Sequence, residues 1–341
     1  MAQKDQREKT ILMAHGGGGE LMNRLLEGHI FSKLSNSYLD GHGDSAVIDF
    51  GSERICFTTD GFVVRPLFFP GGDIGMLSVC GTVNDLSVMG AEPKAISLGM
   101  IIEEGLEVSS FDRIVDSIRT AAESAGVDIV TGDTKVIEGG RGDGIMITTA
   151  GIGRLRKDAD ISISRIQEGD VIIVTGNIAE HGLAVMSARE GFEFETSIKS
   201  DAACLNSLTG AIFEAGCDVK FMRDPTRGGF ANVVCDICEH SNLSVEVFEK
   251  QIPIERGVVH LSEVLGLDPL SVANEGKIVI VAEKDHGRKI VDICRSHELG
   301  HAAAIVGTVT SGEPAVSQLV TRSGGRRIIQ RPYGEQLPRI C

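Results

Sequence analysis

Five aspartates stand among small, flexible residues at expected turns or strand ends: Asp44 in GHGDSAV, Asp60 in TTDGFVV, Asp85 in GTVNDLSVMGAEP, Asp133 in TGDTKV and Asp224 in RDPTRGG. Such surroundings let a backbone bring several carboxylates into one small volume, where they repel unless cations lie between them. Hard Mg2+ shared with phosphate oxygens satisfies a set of this kind, so a nucleoside triphosphate with bridging magnesium is the economical ligand. A single aspartate in such a place is more readily a turn former, and only the set carries the expectation. Arg227, before Gly228 and Gly229 at the entrance of an expected helix, adds a charged fork and helix-end amides for phosphate. The run His15-Gly-Gly-Gly-Gly19 ahead of Glu20-Leu-Met is a weaker anion loop, with neither a Walker G-K-[ST] nor G-x-G-x-x-G. Lys135 beside Asp133, and Asn274-Glu-Gly-Lys277 before an apolar strand, read from composition alone as surface charge and a turn.

The other reactive group is the thiol of Cys341, the last residue of the sequence, behind a segment that Pro332 and Pro338 stiffen and Gly334 can hinge. A thiol so placed can travel to chemistry elsewhere, with Tyr333, Leu337 and Ile340 as docking groups. The eight cysteines sit mostly among apolar neighbours and read as reduced core thiols. Cys235-Asp-Ile-Cys238 lacks a second pair at zinc spacing, with only His240 nearby, and shares a helical apolar face with Phe230, Val233, Val234 and Ile237.

Composition bounds the function classes. A chain of 341 residues, 42% hydrophobic and 24% charged, is long enough for two domains with real cores. Its net charge of −15 argues against a general binder of nucleic acid or anionic membranes. The charged start MAQKDQREKT and the lack of any run of about 18 apolar residues signal neither export nor spanning, and a cytoplasmic location is expected.

These residues need elements to position them. Short apolar or alternating runs predict strands at Ala46 to Phe50, Ile55 to Thr59, Ala95 to Ile101, Ile129 to Thr131 and Ile145 to Gly151. Helices are expected over Ile74 to Met89 and Phe111 to Ala125, making one α+β domain. A polar connection, Arg154 to Asp160, precedes a second unit with strands at Val171 to Thr175, Ser244 to Phe248, Ile278 to Ala282, Ala303 to Val309 and Ala315 to Val320. Its helices are expected near Gly182 to Arg189, Ala202 to Ala215, Gly229 to Cys238 and Gly287 to Ser296.

Taken together, HGGGG, DGFVVRPLFFPGGDIG, GTVNDLSVMGAEP, EEG, GDTKV, DPTRGG, NEGK and the final PRIC resemble the HypE hydrogenase maturation factors, in chain order from about Ile11 to Cys341. PRIC is the most specific part. More broadly the chain is similar to the aminoimidazole-ribonucleotide synthetase (PurM-like) superfamily, which includes selenophosphate synthetase and thiamine-monophosphate kinase.

The resemblance implies an α+β, two-domain PurM-like architecture: an arm over 1–42, an ATP-binding domain with a dimer-forming sheet over 43–155, an α/β sandwich over 161–322 and a mobile tail over 323–341. It implies a homodimer paired through the N-terminal domains, with ATP and Mg2+ at the site. Gly16, Gly17, Gly18, Gly19, Asn84, Thr134 and Arg227 would bind ATP, and Asp44, Asp60, Asp85, Asp133 and Asp224 would hold magnesium. Cys341 would accept a carbamoyl group from a HypF-type carbamoyltransferase. ATP would activate the amide oxygen, and loss of phosphate would leave a thiocyanate whose cyanide passes to iron on a HypC–HypD complex. Glu275 would be the proton acceptor and Lys135 its charge partner or an orienting cation.

A phosphotransferase acting on a small free substrate, like selenophosphate synthetase or thiamine-monophosphate kinase, is the rival reading. The former would show a reactive Cys before its glycine loop, where this chain has Met13-Ala-His15. A metal or redox protein using Cys235, Cys238 and Cys341 would leave the acidic turns without a purpose.

Overall fold

The computed structural model describes residues 11–17, 19–34, 44–190, 198–312, 314–334, 337 and 339–341. In the N-terminal half, β1 (Ala46–Phe50), β2 (Glu53–Phe62), β5 (Ala91–Glu103), β6 (Asp128–Ile137) and β7 (Ile145–Leu155) form one sheet in the order β1-β2-β7-β5-β6. Two short strands, β3 (Phe68–Phe69) and β4 (Gly72–Asp73), pair separately. Only the β5–β6 pair is parallel, because helix α3 (Val108–Ala125) supplies the crossover between those strands.

One face of this sheet is covered by α3 and by α2 (Ile74–Val88). The α3 sequence has a single apolar stripe of Ile114, Ile118, Ala121, Ala122 and Ala125 and stops at left-handed Gly126. By contrast α2 is buried nearly all round, capped by the Asp73 carboxylate that accepts from the Met76 amide at 3.0 Å. Among the described residues nothing covers the opposite face: Phe57 and its register partner Ile152 are 43% and 44% exposed. Edge strand β6 is exposed from Asp128 to Val136, Val130 and Val136 among them.

The C-terminal half is a seven-stranded sheet in the order β14-β13-β10-β12-β8-β11-β9. Its strands are β8 (Val171–Val174), β9 (Val219–Arg223), β10 (Ser244–Phe248), β11 (Val279–Ala282), β12 (Ala304–Thr310), β13 (Ser317–Val320) and β14 (Arg326–Ile328). Central strands β8 and β11 are apolar without alternation because both faces are covered. Ile173 and Ile280 pack with α5 (Asn206–Glu214) and α8 (Lys284–Ser296), whereas Ile172, Val279 and Val281 pack with α6 (Gly229–Ser241). Helices α4 (Glu180–Glu190) and α7 (Arg256–Leu265) pack on each other. Strand β9, helix α7 and strand β14 were absent from the expected elements; β14 puts residues 326–328 in the sheet rather than in the tail.

The two halves share cores. Cys56 and Leu86 of the first cluster with Leu208 and Ile280 of the second, and Ile74 and Leu77 belong to the same cluster as Leu183, Val258 and Val272. The described end of the tail is docked and lies against the N-terminal half. Val63 N–H donates to the Cys341 carbonyl and Arg65 N–H to that of Arg339, both at 3.1 Å, and Leu337 and Ile340 are buried. Cys235 and Cys238 lie in α6 as unbridged thiols pushed above their usual range by burial, as a core helix face requires. Among the described residues no helix is long and apolar enough to cross a membrane.

Candidate active site

Asp44 leads into β1, Asp60 is near the end of β2, Asp85 is in the last turn of α2 and Asp224 follows β9. All four line one cavity of about 340 Å3, together with Arg227, Glu275 and Cys341. The Thr58 hydroxyl, two residues before Asp60 on β2, lies 2.8 Å from Asp85 Oδ2 and 3.0 Å from the Asp44 carbonyl oxygen, tying three elements together. The short helix α1 (Glu20–Leu25) roofs the cavity with Met22 and Asn23.

Electrostatics match that geometry. Burial, followed by the charges of Asp224, Asp44 and Asp60, pushes Asp85 well above the usual carboxylate range. Burial and then Asp44 and Asp60 push Asp224 up to about 8. Asp44 and Asp60 are raised by burial too, against the opposing attraction of Arg223 and Arg227 respectively. Four carboxyl groups that resist ionising together are a donor set for a hard, oxygen-loving dication, and these residues fit magnesium.

Glu275 faces the same cavity from the NEGK segment. It is 2% exposed, its Oε1 has no hydrogen-bond partner among the described residues, and burial followed by Asp224, Asp60 and Asp201 raises it well above its usual range. Its backbone is fixed from both sides: its N–H donates to Asp201 Oδ1 at 3.1 Å, and its carbonyl accepts from Asn84 Nδ2 at 3.0 Å. Gly276 makes the close approach possible, since a Cβ there would lie 1.8 Å from the Asp201 carbonyl oxygen. The partly buried Cys341 thiol is raised above its usual range by burial, with Glu275 and Asp60 adding and Arg227 opposing.

Not every expected site residue is brought here. Asp133, Thr134 and Lys135 lie on exposed β6, where the Lys135 ammonium donates to Asp133 Oδ2 at 2.7 Å; none of them lines this cavity. Asn84 is buried and braces the site rather than facing it. Both its amide protons are used, on the Ala203 and Glu275 carbonyls at 3.0 Å, and its oxygen accepts from the Leu205 amide at 2.8 Å.

Gly19, in the glycine run, packs closely on the tail. Glu20 N–H donates to the Pro332 carbonyl at 3.1 Å, and a Cβ on Gly19 would lie 2.0 Å from that oxygen. Gly17 lines a small crevice with Pro332 and Leu337, Gly16 is partly exposed, and Gly18 lies outside the described residues.

Two charged cavity residues went unread in the sequence. Arg223 donates to Asp44 Oδ1 at 3.0 Å and to Asp236 Oδ2 at 2.8 Å, and Asp236 also pairs with Arg331 at the root of the tail, at 2.6 Å. Burial of an arginine beside one of the aspartates already singled out is the signal that links them, and it exists only in three dimensions.

Residues 42–155 match the family AIR synthase related protein, N-terminal domain, and residues 167–319 the corresponding C-terminal domain. Fold and acidic cavity therefore define a two-domain, PurM-like protein of the AIR synthase-related class. Carbamoyl dehydratase HypE of Azotobacter vinelandii is 41% identical over 341 residues, covering 100% of both chains. A chain in the crystal structure of a HypE–HypF complex has a TM-score of 0.86 at 44% identity, over 90% of this chain and 99% of that one. Hydrogenase maturation protein HypE in complex with ATP has a TM-score of 0.82 at 38% identity, over 97% of this chain and 100% of that one. The chain belongs to the carbamoyl dehydratase HypE family of hydrogenase maturation proteins.

Proposed function

We propose that the protein uses ATP to dehydrate a carbamoyl group carried on the Cys341 thiol to a thiocyanate, the source of cyanide for the iron of a nickel–iron hydrogenase. The observation that carries this reading is the shared cavity: the Cys341 thiol, the four aspartates and the Glu275 carboxyl, whose Oε1 has no hydrogen-bond partner among the described residues, line one volume. While docked the thiol is held protonated by burial and is a poor nucleophile, so it takes its carbamoyl group from a HypF-type donor with the tail undocked, and returns loaded.

Inside the cavity Arg227 would face the triphosphate and stabilise charge on the transferring group. Magnesium held by Asp44, Asp60, Asp85 and Asp224 would neutralise these carboxylates and the phosphates. The carbamoyl oxygen takes the terminal phosphoryl group as the bond to ADP breaks. Glu275, ionised once its neighbouring aspartates are neutralised, accepts one proton from the carbamoyl nitrogen; the second passes to the departing phosphate as the carbon–oxygen bond breaks, and orthophosphate leaves with the carbamoyl oxygen. The cyanide is then passed to a HypC–HypD complex.

The protein acts as a homodimer. Exposed Phe57 and Ile152 on the bare sheet face, with Val130 and Val136 on β6, form the kind of uncovered apolar surface that a second copy buries. Asp133, Thr134 and Lys135 belong in this reading to a site completed across that pairing, with Lys135 as the cation for Glu275.

Incubation with a HypF-type carbamoyl donor and ATP, followed by intact-mass and peptide analysis, tests the proposal. One carbamoyl mass should appear on Cys341 and then lose one water only with ATP. A gain that maps to another residue, or water loss without ATP, refutes it.

A further inference from the structure

The docked tail poses a hydrogen-bonding question that its pairing with residues 63–65 leaves open. That antiparallel pairing uses the carbonyls of Arg339 and Cys341, so the Ile340 carbonyl between them faces the other way, on a residue only 4% exposed. His181, in the first turn of α4, meets it: Nε2 lies 2.7 Å from the Ile340 oxygen. A carbonyl only accepts, so Nε2 carries the proton.

The other ring nitrogen explains why. The Ser200 hydroxyl oxygen accepts from the Ala202 amide at 3.1 Å, and Oγ lies 2.8 Å from Nδ1, to which its own proton is then donated. Ser200 thereby selects the tautomer that donates to the tail. Phe69 packs edge-on against the ring at 5.5 Å between centroids, and burial holds the imidazole below its usual range and neutral. At the far end of the same helix Arg189 Nη2 donates to the Arg339 carbonyl at 2.7 Å and Nε to the Arg65 carbonyl at 2.9 Å, joining the tail to its docking strand.

Helix α4 thus grips the tail twice, each time through a main-chain oxygen. Contacts of that kind read chain register rather than side chains, and here they set which residue enters the cavity. We propose that His181 is a positioning residue, a register lock on the Ile340 carbonyl that holds the Cys341 side chain against Glu275 and the carboxylate cluster. The inference rests on the proposed dehydration and assigns it a residue that touches neither nucleotide nor reacting atoms.

The test compares the full-length wild type with His181→Leu, which fills the space without a donor, and His181→Gln, whose amide can donate at the place of Nε2. Each is loaded by a HypF-type carbamoyl donor and given ATP. His181→Leu should accept carbamoyl and keep its ATP-induced thermal shift, yet lose water roughly tenfold or more slowly, with His181→Gln recovering most of the rate.

A second readout is alkylation of Cys341 by iodoacetamide, mapped by peptide mass, which should be several-fold faster in His181→Leu than in the other two proteins. Water loss at the wild-type rate in His181→Leu overturns the inference, as does loss of the ATP-induced shift, which would mark a structural defect. If the wild type itself never loses water, the dehydration reading fails. Equal alkylation rates in wild type and His181→Leu then separately overturn the lock.

Discussion

Replacing Glu275 by Gln keeps the volume of a buried side chain while removing a proton that two states of the protein hold very differently. In the fold, burial and the charges of Asp224, Asp60 and Asp201 raise this carboxyl well above its ordinary value of 4.5, which the unfolded chain retains. A raised carboxyl contributes its stability fully at pH below the unfolded value and loses it as pH rises toward the folded one. Over that window the wild type loses about 1.4 kcal/mol per pH unit through this one proton, and Gln loses nothing.

The stability gap in favour of Glu275→Gln in the nucleotide-free protein should therefore widen by that amount per unit from about pH 5 upward, or ~2–4 °C in melting temperature per kcal/mol. The shifts of the neighbouring aspartates are common to both proteins and cancel to first order. Dehydration should fall by about 10²–10⁴-fold, the usual contribution of a positioned base, while carbamoyl acceptance and ATP binding persist. The assay is a pair of melting curves against pH beside a time course by intact mass. A gap that stays flat or narrows with pH refutes the electrostatic reasoning, and water loss at the wild-type rate removes Glu275 from the base role.

Three further outcomes follow from the same geometry. With Asp224 raised to about 8 from 3.8, the metal-free protein should melt progressively lower as pH rises between those values; Asp224→Asn should flatten the slope, and magnesium should raise the wild-type melting temperature more near the top of that window than near its middle. Gly276→Ala should destabilise by roughly 2 kcal/mol or more and impair dehydration, because a Cβ 1.8 Å from the Asp201 oxygen must displace the segment that carries Glu275; calorimetry and the mass time course check both. Val136→Glu, on a strand already exposed, should leave the melting of each chain little changed but shift the protein to monomers in light scattering and abolish turnover.

Much of the fold was legible because local pattern and burial agree. β1 and β10 occupy the expected residues 46–50 and 244–248, and α2 and α3 follow their apolar runs to within three residues at each end. Strand β9 was missed because Val-Lys-Phe-Met-Arg is almost wholly buried, Lys220 included, its ammonium paired with Asp170 at 2.8 Å, so no alternation survives in the sequence. Helix α7 did carry a readable sign, the pair Val258 and Leu261 ahead of left-handed Gly266.

At the site, four of the five aspartates were brought together as their flexible surroundings suggested, whereas Asp133 stayed on an edge strand. Asn84 was expected to face ATP by the resemblance, and the glycine run was read as a weak anion loop ahead of a helix. Their partners turned out to be the chain itself, at Glu275 and Pro332, and pairings across so much sequence leave no local trace. The long-range pair of Arg223 with Asp44 was illegible for the same reason.

The fate of one oxygen atom tests the central claim most directly. Cys341 is loaded with a carbamoyl group labelled with heavy oxygen, unlabelled ATP and magnesium are added, and the phosphate and water released in a single turnover are analysed by mass spectrometry. If the carbamoyl oxygen takes the phosphoryl group in this cavity, the label emerges in inorganic phosphate as the thiocyanate forms. Label recovered in bulk water, with unlabelled phosphate, would contradict the account.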